Sequence, residues 1–368
     1  MKRALIVLLL LAVAAGGLFA QTLTWSGHVQ SGIEVVIPNE GDTTVSWYSW
    51  DPGTTYRFQI GASYTAAEGK AGAAGYIRNA GGTFAVDQGR AWVYPIDILR
   101  LQIGNGGPGG FGSLGSFGAS NGAGDAGGLS AILTPVLDGA SFSLGASVAP
   151  SNVTFDNTRY NFGVTFGLPA LLNAAANLAY IGSGNDGDGE IRVAAGIGVL
   201  ALNAASGQTG LTRLAIDVIA NNITGDLDWI GIGPAVGFRV AGVGSGALTT
   251  TLQARIFLPL NDKNDLDYAV GLDLSVPFTG FSFGLDVGYE GAAAALPAKN
   301  ATTGGINARG WDPLPKSIGG TDAALNIRPY LTFTIGGASL QTGWGIQALL
   351  ADEVQMQHGI YANLNVSF

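Results

Sequence analysis

The sequence predicts an all-β chain: a transmembrane, antiparallel, up-and-down β-barrel of about 18 strands, with 16 as the alternative count. Three observations carry this. The first is a period of two. In residues 281–290, Phe281, Phe283, Leu285, Val287 and Tyr289 take one side, and Ser282, Gly284, Asp286, Gly288 and Glu290 take the other. Successive side chains of a strand point to opposite faces, so such a segment is apolar on one face and polar on the other. The second is that mean hydropathy is +0.31 while, beyond the first 20 residues, Gly, Asn, Arg or Asp cuts every apolar run before it can span as a helix. Only helices and closed barrels satisfy their backbone groups in lipid, which leaves the barrel. The third is the chemistry of the second face, mainly Gly, Ser, Thr, Asn and charge. A soluble β-sandwich fills that face with large apolar groups, whereas a barrel filled with water does not need them.

The chain opens MKRALIVLLLLAVAAGGLFA. Lys2 and Arg3 precede an apolar core over residues 4–15, and Ala20 precedes a polar start at Gln21. This pattern predicts a signal peptide over residues 1–20, cleaved on export, and one barrel domain over 21–368.

Strands are expected at 23–37, 54–65, 72–80, 83–94, 96–104, 129–136, 140–148, 159–168, 173–181, 190–200, 211–221, 230–240, 247–258, 266–276, 280–290, 323–335, 338–349 and 356–368. Most have the length a tilted strand needs to cross the hydrocarbon layer. Alternation recurs independently at 159–168, where Tyr160, Phe162, Val164, Phe166 and Leu168 oppose Arg159, Asn161, Gly163, Thr165 and Gly167. It recurs again at 266–276. Connections at Pro95, 137–139, 168–172, 277–280 and 336–337 are short, and those at 38–53, 105–128, 149–158, 182–189, 259–265 and 291–322 are long. Short periplasmic turns, long external loops and two periplasmic termini describe one consistent topology.

Composition narrows function. The chain has no Cys, so neither a disulfide framework nor a lipidated cysteine is available. With 26 Asp and Glu against 17 Lys and Arg, nucleic acid is a disfavoured partner. His28 and His358 are the only histidines; without a third ligand or a neighbouring nucleophile they form neither a metal nor a catalytic centre, and a lumen or rim position is expected for both. GNDGDGE at 184–190 and NDKNDLD at 261–267 lack the spacing of a calcium loop. Cofactor and metal are therefore both expected to be none.

Arginine placement is more informative. A lipid-facing Arg at mid-membrane costs about 2–4 kcal/mol, so strand arginines are expected to face the lumen or the rims. Alternation puts Arg57, Arg192, Arg239 and Arg255 on the polar face, with Asp217, Asp273 and Asp286 as the carboxylates of a pore lining. Guanidinium groups opposed by carboxylates would set up a transverse field able to orient small polar solutes. In the glycine-rich stretch 105–128, Phe111, Phe117 and Asp125 mark a constriction loop. Trp25, Trp92, Tyr289, Tyr361 and Phe368 fall near strand ends and are expected in interfacial girdles.

The final segment MQHGIYANLNVSF alternates and ends on Phe368. It resembles the terminal strand of bacterial outer-membrane proteins, which implies reading by the outer-membrane barrel-assembly machinery. GRAWVYPIDILRLQIGNG, residues 89–106, is similar to the paired strands of porin-like proteins, including those of spirochaetes. The resemblance implies a cell outer-membrane porin or channel without enzyme activity, with outer-membrane lipid outside and small hydrophilic solutes inside. A homotrimer and a monomer both stay open. The alternative is a surface adhesin or structural barrel that binds through loops 38–53 and 291–322.

Overall fold

The computed structural model describes residues 22–38, 41–48, 56–66, 68–80, 83–104, 128–149, 159–168, 171–181, 190–199, 208–220, 223, 229–260, 266–290, 323–350 and 352–367. These form nineteen strand segments: β1 Thr22–Ile37, β2 Thr44–Tyr48, β3 Tyr56–Thr65, β4 Ala71–Ala80, β5 Thr83–Ile96, β6 Leu99–Gly104, β7 Gly128–Leu133, β8 Ser141–Ala149, β9 Arg159–Leu168 and β10 Leu172–Ile181; then β11 Glu190–Val199, β12 Gly210–Ala220, β13 Trp229–Val243, β14 Gly246–Pro259, β15 Asp267–Phe278, β16 Phe281–Glu290, β17 Ala323–Ile335, β18 Ala338–Leu350 and β19 Val354–Ser367.

From β3 onward each strand pairs antiparallel with its neighbours in chain order, and the sheet closes where β19 returns to β1, from His28 opposite Ser367 to Ile37 opposite His358. The other edge of β1 is shared. Thr22–Ser31 pair with β3, and Gly32–Val36 pair with β2. Two segments therefore fill one place, and the ring is a closed barrel of 18 strands. Segment β2 corrects the expectation of an uninterrupted loop over 38–53: the alternating run Thr44–Tyr48 continues the ladder above β3. A second correction concerns the turn at Pro95. β5 runs through it to Ile96, a register shift between Val93 and Ile96 accommodates the residue without an N–H, and Asp97–Ile98 makes the turn.

Both described chain ends lie at the end of the barrel that carries the short turns. In the turn between β13 and β14, Gly244 has φ +66°, and a Cβ there would stand 2.0 Å from the carbonyl oxygen of Pro277, so the tight connection needs glycine.

Burial divides the two faces. On a closed sheet the concave side chains crowd together while the convex ones splay apart, so the less accessible series is the inner one. Gln30, Gln102, Ser130, Ser147, Asp217, Asp286, Arg328, Gln347 and Asn363 are buried on it, whereas Leu101, Leu144, Val148, Phe162, Val218, Leu252, Ile360 and Leu364 are exposed on the outer one. This inverts the arrangement of a water-soluble protein, and it is what hydrocarbon outside and polar surroundings inside require. Aromatic rings gather on the outer face at both ends. Tyr160 and Tyr180 (ring centroids 6.2 Å apart) and Tyr268 and Tyr289 (5.5 Å) stand toward the long loops. Phe278, Phe281 and Phe333 stand at the short turns, with centroids 5.0 and 5.9 Å apart.

The face assignment predicts an asymmetry between neighbours. Leu252→Arg on the outer face costs about 2–4 kcal/mol, whereas Thr251→Arg, one residue away on the inner face, costs under about 1 kcal/mol. Urea unfolding from liposomes measures both, and equal costs would overturn the assignment.

Candidate functional site

The inner wall is the only continuous polar surface of the described strands, and glycine sets its shape. Across the ladder from a large inner side chain there is repeatedly a glycine: Gly61 opposite Tyr76, Gly72 opposite Trp92, Gly196 opposite Asp217, Gly284 opposite Tyr330 and Gly343 opposite Tyr361. A Cβ added at these glycines would lie 2.0–2.7 Å from the partner's side chain, so each large group reclines over the bare backbone beside it. Side chains that recline along a wall occupy less of the lumen than side chains that stand up from it.

Two of the expected girdle residues are on this inner face. Tyr361 is 1% exposed, lies over Gly343 and donates its hydroxyl proton to Gln341 Oε1 at 3.3 Å. Trp92 lies over Gly72, between the exposed Ala91 and Val93. Nearness to a strand end does not reveal parity; the cross-strand glycine, by giving the ring a seat, is the feature that goes with an inner position. Trp25, 61% exposed, and Tyr289, packed on Tyr268, are on the outer face. Phe368 lies outside the described residues, as do residues 1–20 and the constriction-loop residues Phe111, Phe117 and Asp125.

The pore-lining set distributes as follows. Asp217, Asp273 and Asp286 are on the inner series, as is Arg239, whose flanking Phe238 is exposed outward. Arg57, Arg192 and Arg255 occupy register positions of the inner series, opposite Gln30, Ala179 and Ala269. The histidines, both expected at the lumen or rim, separate. His28 is on the inner series, while His358 stacks on the outward Trp344 with centroids 5.7 Å apart. Among the described residues no group of three His, Cys, Asp or Glu is placed to hold a metal ion.

The best-defined charged contact is Asp286 with Arg328, an arginine not included in the sequence-derived lining set. Both are buried, and Arg328 donates to Asp286 Oδ2 through Nε at 3.1 Å and through Nη2. The guanidinium also lies 5.9 Å from the centre of the Tyr330 ring. Asp273 stands opposite Asp286 in the ladder, so two carboxylates and one guanidinium share this part of the wall. Seven strands further round the ring, on β5 and β6, Arg90 and Arg100 flank Trp92. The Asp273–Asp286–Arg328 group and the Arg90–Trp92–Arg100 group thus occupy separate parts of the wall.

Breaking a buried ion pair leaves the remaining charge stranded. Asp286→Ala is expected to destabilise the barrel by about 3–5 kcal/mol, and Asp286→Leu combined with Arg328→Met to recover most of that loss. Denaturant unfolding in lipid checks both; a double variant no better than the single one would show that the pair is not the source of the cost.

No protein-family description and no curated protein matches this sequence. Its fold does match solved structures. Pseudomonas aeruginosa OpdQ superposes with a TM-score of 0.59 at 8% identity, covering 94% of this chain and 98% of that one. The outer-membrane protein OpdK from the same organism gives 0.57 at 10%, covering 94% and 99%. Acinetobacter baumannii OccAB4 gives 0.55 at 11%, covering 95% and 99%. At these identities the likeness is one of fold: over 94–95% of its length this chain shares the architecture of these proteins.

Proposed function

We propose that the chain is an outer-membrane porin through which small hydrophilic solutes and ions diffuse passively, and that it carries no catalytic chemistry. The observation that carries this reading is the inverted burial of a closed ring, with amides, hydroxyls and charges inside and leucine, isoleucine, valine and phenylalanine outside. A wall of that kind is stable in a bilayer, and its interior is wetted by the residues that line it. The fold likeness to outer-membrane porins over nearly the whole chain supports the same reading.

Several further parts belong to the proposal. Residues 1–20 act as a cleaved export signal, the short-turn end faces the periplasm, and the barrel-assembly machinery reads the alternating strand that ends at Phe368. The lining comprises Arg57, Arg192, Arg239, Arg255, Asp217, Asp273 and Asp286, extended by Arg328. Outer-membrane lipid covers the outer face, with trimeric association as one arrangement of that surface.

Planar-bilayer recording of the purified protein tests the reading. Discrete, stable conductance steps in KCl are expected. Removing one lining charge should shift ion preference by its sign: Arg239→Ala moves the reversal potential toward cation preference, and Asp273→Asn moves it toward anion preference. Gly284→Leu, which lifts Tyr330 off the wall, should lower conductance while the barrel still forms. Repeated preparations without channels would remove the porin reading.

A further inference from the structure

Two neighbouring rows of inner positions cross the seam where the barrel closes. Gln341, Asn363 and Gly32 make one row, and Ser339, Asn365 and Gln30 the next, on β18, β19 and β1. Gln30 and Asn363 are each 0% exposed, and in both the side-chain oxygen and the side-chain nitrogen lack a hydrogen-bond partner. No other amide among the described residues is left so completely unmet, and Asn365 adds a buried Oδ1 without a partner. Gln341, by contrast, is fixed. Its Nε2 donates to Thr332 Oγ1 at 3.3 Å, and its Oε1 accepts the hydroxyl proton of Tyr361 at 3.3 Å. One amide of the patch is thus anchored, while those beside it keep open hydrogen-bonding capacity.

Leaving buried amide groups unmet is costly, so these positions need another molecule to complete them. An amide sets N–H donors and a carbonyl acceptor side by side. An anion would meet only the donors, and a cation only the acceptor. A pair of neighbouring hydroxyls meets both, because each can donate and accept. Water satisfies the same groups one at a time, and a hydroxylated solute that reproduces its bonds takes its place. The two rows carry no charge on these three strands, and the charged positions that border them, Arg57 opposite Gln30 and Glu34 opposite Tyr361, are of opposite sign. That balance favours a neutral ligand over an ion of either sign.

We propose that Gln30, Asn363 and Asn365 form a binding site for a neutral, polyhydroxylated solute, a sugar or polyol. The inference rests on the channel reading and gives it a class of solute. Gln341 and Tyr361 act as positioning residues that hold the edge of the patch. Because Gln30 and Asn363 have no accessible surface, the inner side chains around them move aside as the solute enters. Uptake is therefore saturable, unlike the passing contact of a solute in transit.

Two measurements on the full-length protein separate this site from the channel reading. In isothermal titration calorimetry of protein held in an amine-oxide detergent, which has no sugar headgroup to compete, glucose is the probe and permethylated glucose the control. Saturable heat from glucose is expected, with binding of the permethylated form, which cannot donate, at least about tenfold weaker. Gln30→Met and Asn363→Leu replace unmet polar groups by apolar ones of similar size, so the barrel keeps its stability while glucose binding weakens about tenfold in each. Ser147→Ala, on the inner face of β8, leaves it within about twofold. In planar bilayers glucose should lower KCl conductance saturably, with the half-blocking concentration raised about tenfold in either amide variant. Wild-type protein that takes up no glucose overturns the proposal, as do equal binding of the permethylated form, amide variants that bind as wild type does, or a Ser147→Ala loss as large as theirs. Channels that conduct but are not blocked by glucose sink the site and spare the channel; glucose heat without any conductance does the reverse.

Discussion

The closure of the ladder between β1 and β19 is the constraint on which the molecule depends. In hydrocarbon there is no water to satisfy an open sheet edge, and every unpaired N–H or C=O would cost several kcal/mol. Ten consecutive register pairs, from His28 with Ser367 to Ile37 with His358, remove that edge. The sharing of β1 between β2 and β3 follows from the same need, because the upper part of its other edge would otherwise lack a partner. The outer face then has one duty, which is to be apolar between two aromatic bands.

Once the ring is closed, the inner wall is free to vary in chemistry but not in volume. The glycines answer the second restriction. With no Cβ they let Tyr76, Trp92, Asp217, Tyr330 and Tyr361 lie along the wall, so side chains that would otherwise project into the lumen become part of its lining. The same geometry holds these groups in fixed orientations. Arg328 is anchored by Asp286 and Arg100 by Gln102, so the charges of the lining are held rather than tethered by flexible stems. In the proposed channel, held charges would contribute to selectivity because they cannot swing to neutralise one another.

Much of this was legible in the sequence, and the limits were physical. Strands β9 and β17 have the bounds expected from alternation, because their apolar and polar residues alternate without interruption and turn residues mark their ends. β2 was missed because five residues between two loop-like stretches carry too little periodic signal. The end of β5 was misplaced because proline reads as a turn, while a local register shift keeps it within the strand. For Trp92 and Tyr361 the difficulty was of another kind. Aromatic residues belong equally well at a membrane interface and against a bare backbone, and parity alone decides between them.

By itself the sequence determined the closed antiparallel barrel and which face is wet, and narrowed the strand count to 18 or 16, because alternation and the lack of a spanning helix are local properties that leave one kind of solution in lipid. Tertiary structure decided which residues meet. The Asp286–Arg328 pair joins positions 42 residues apart in sequence, and the Arg90–Trp92–Arg100 cluster depends on a two-residue turn and a glycine on a third strand. Register fixes those meetings, and register is set by the whole ladder rather than by any one strand.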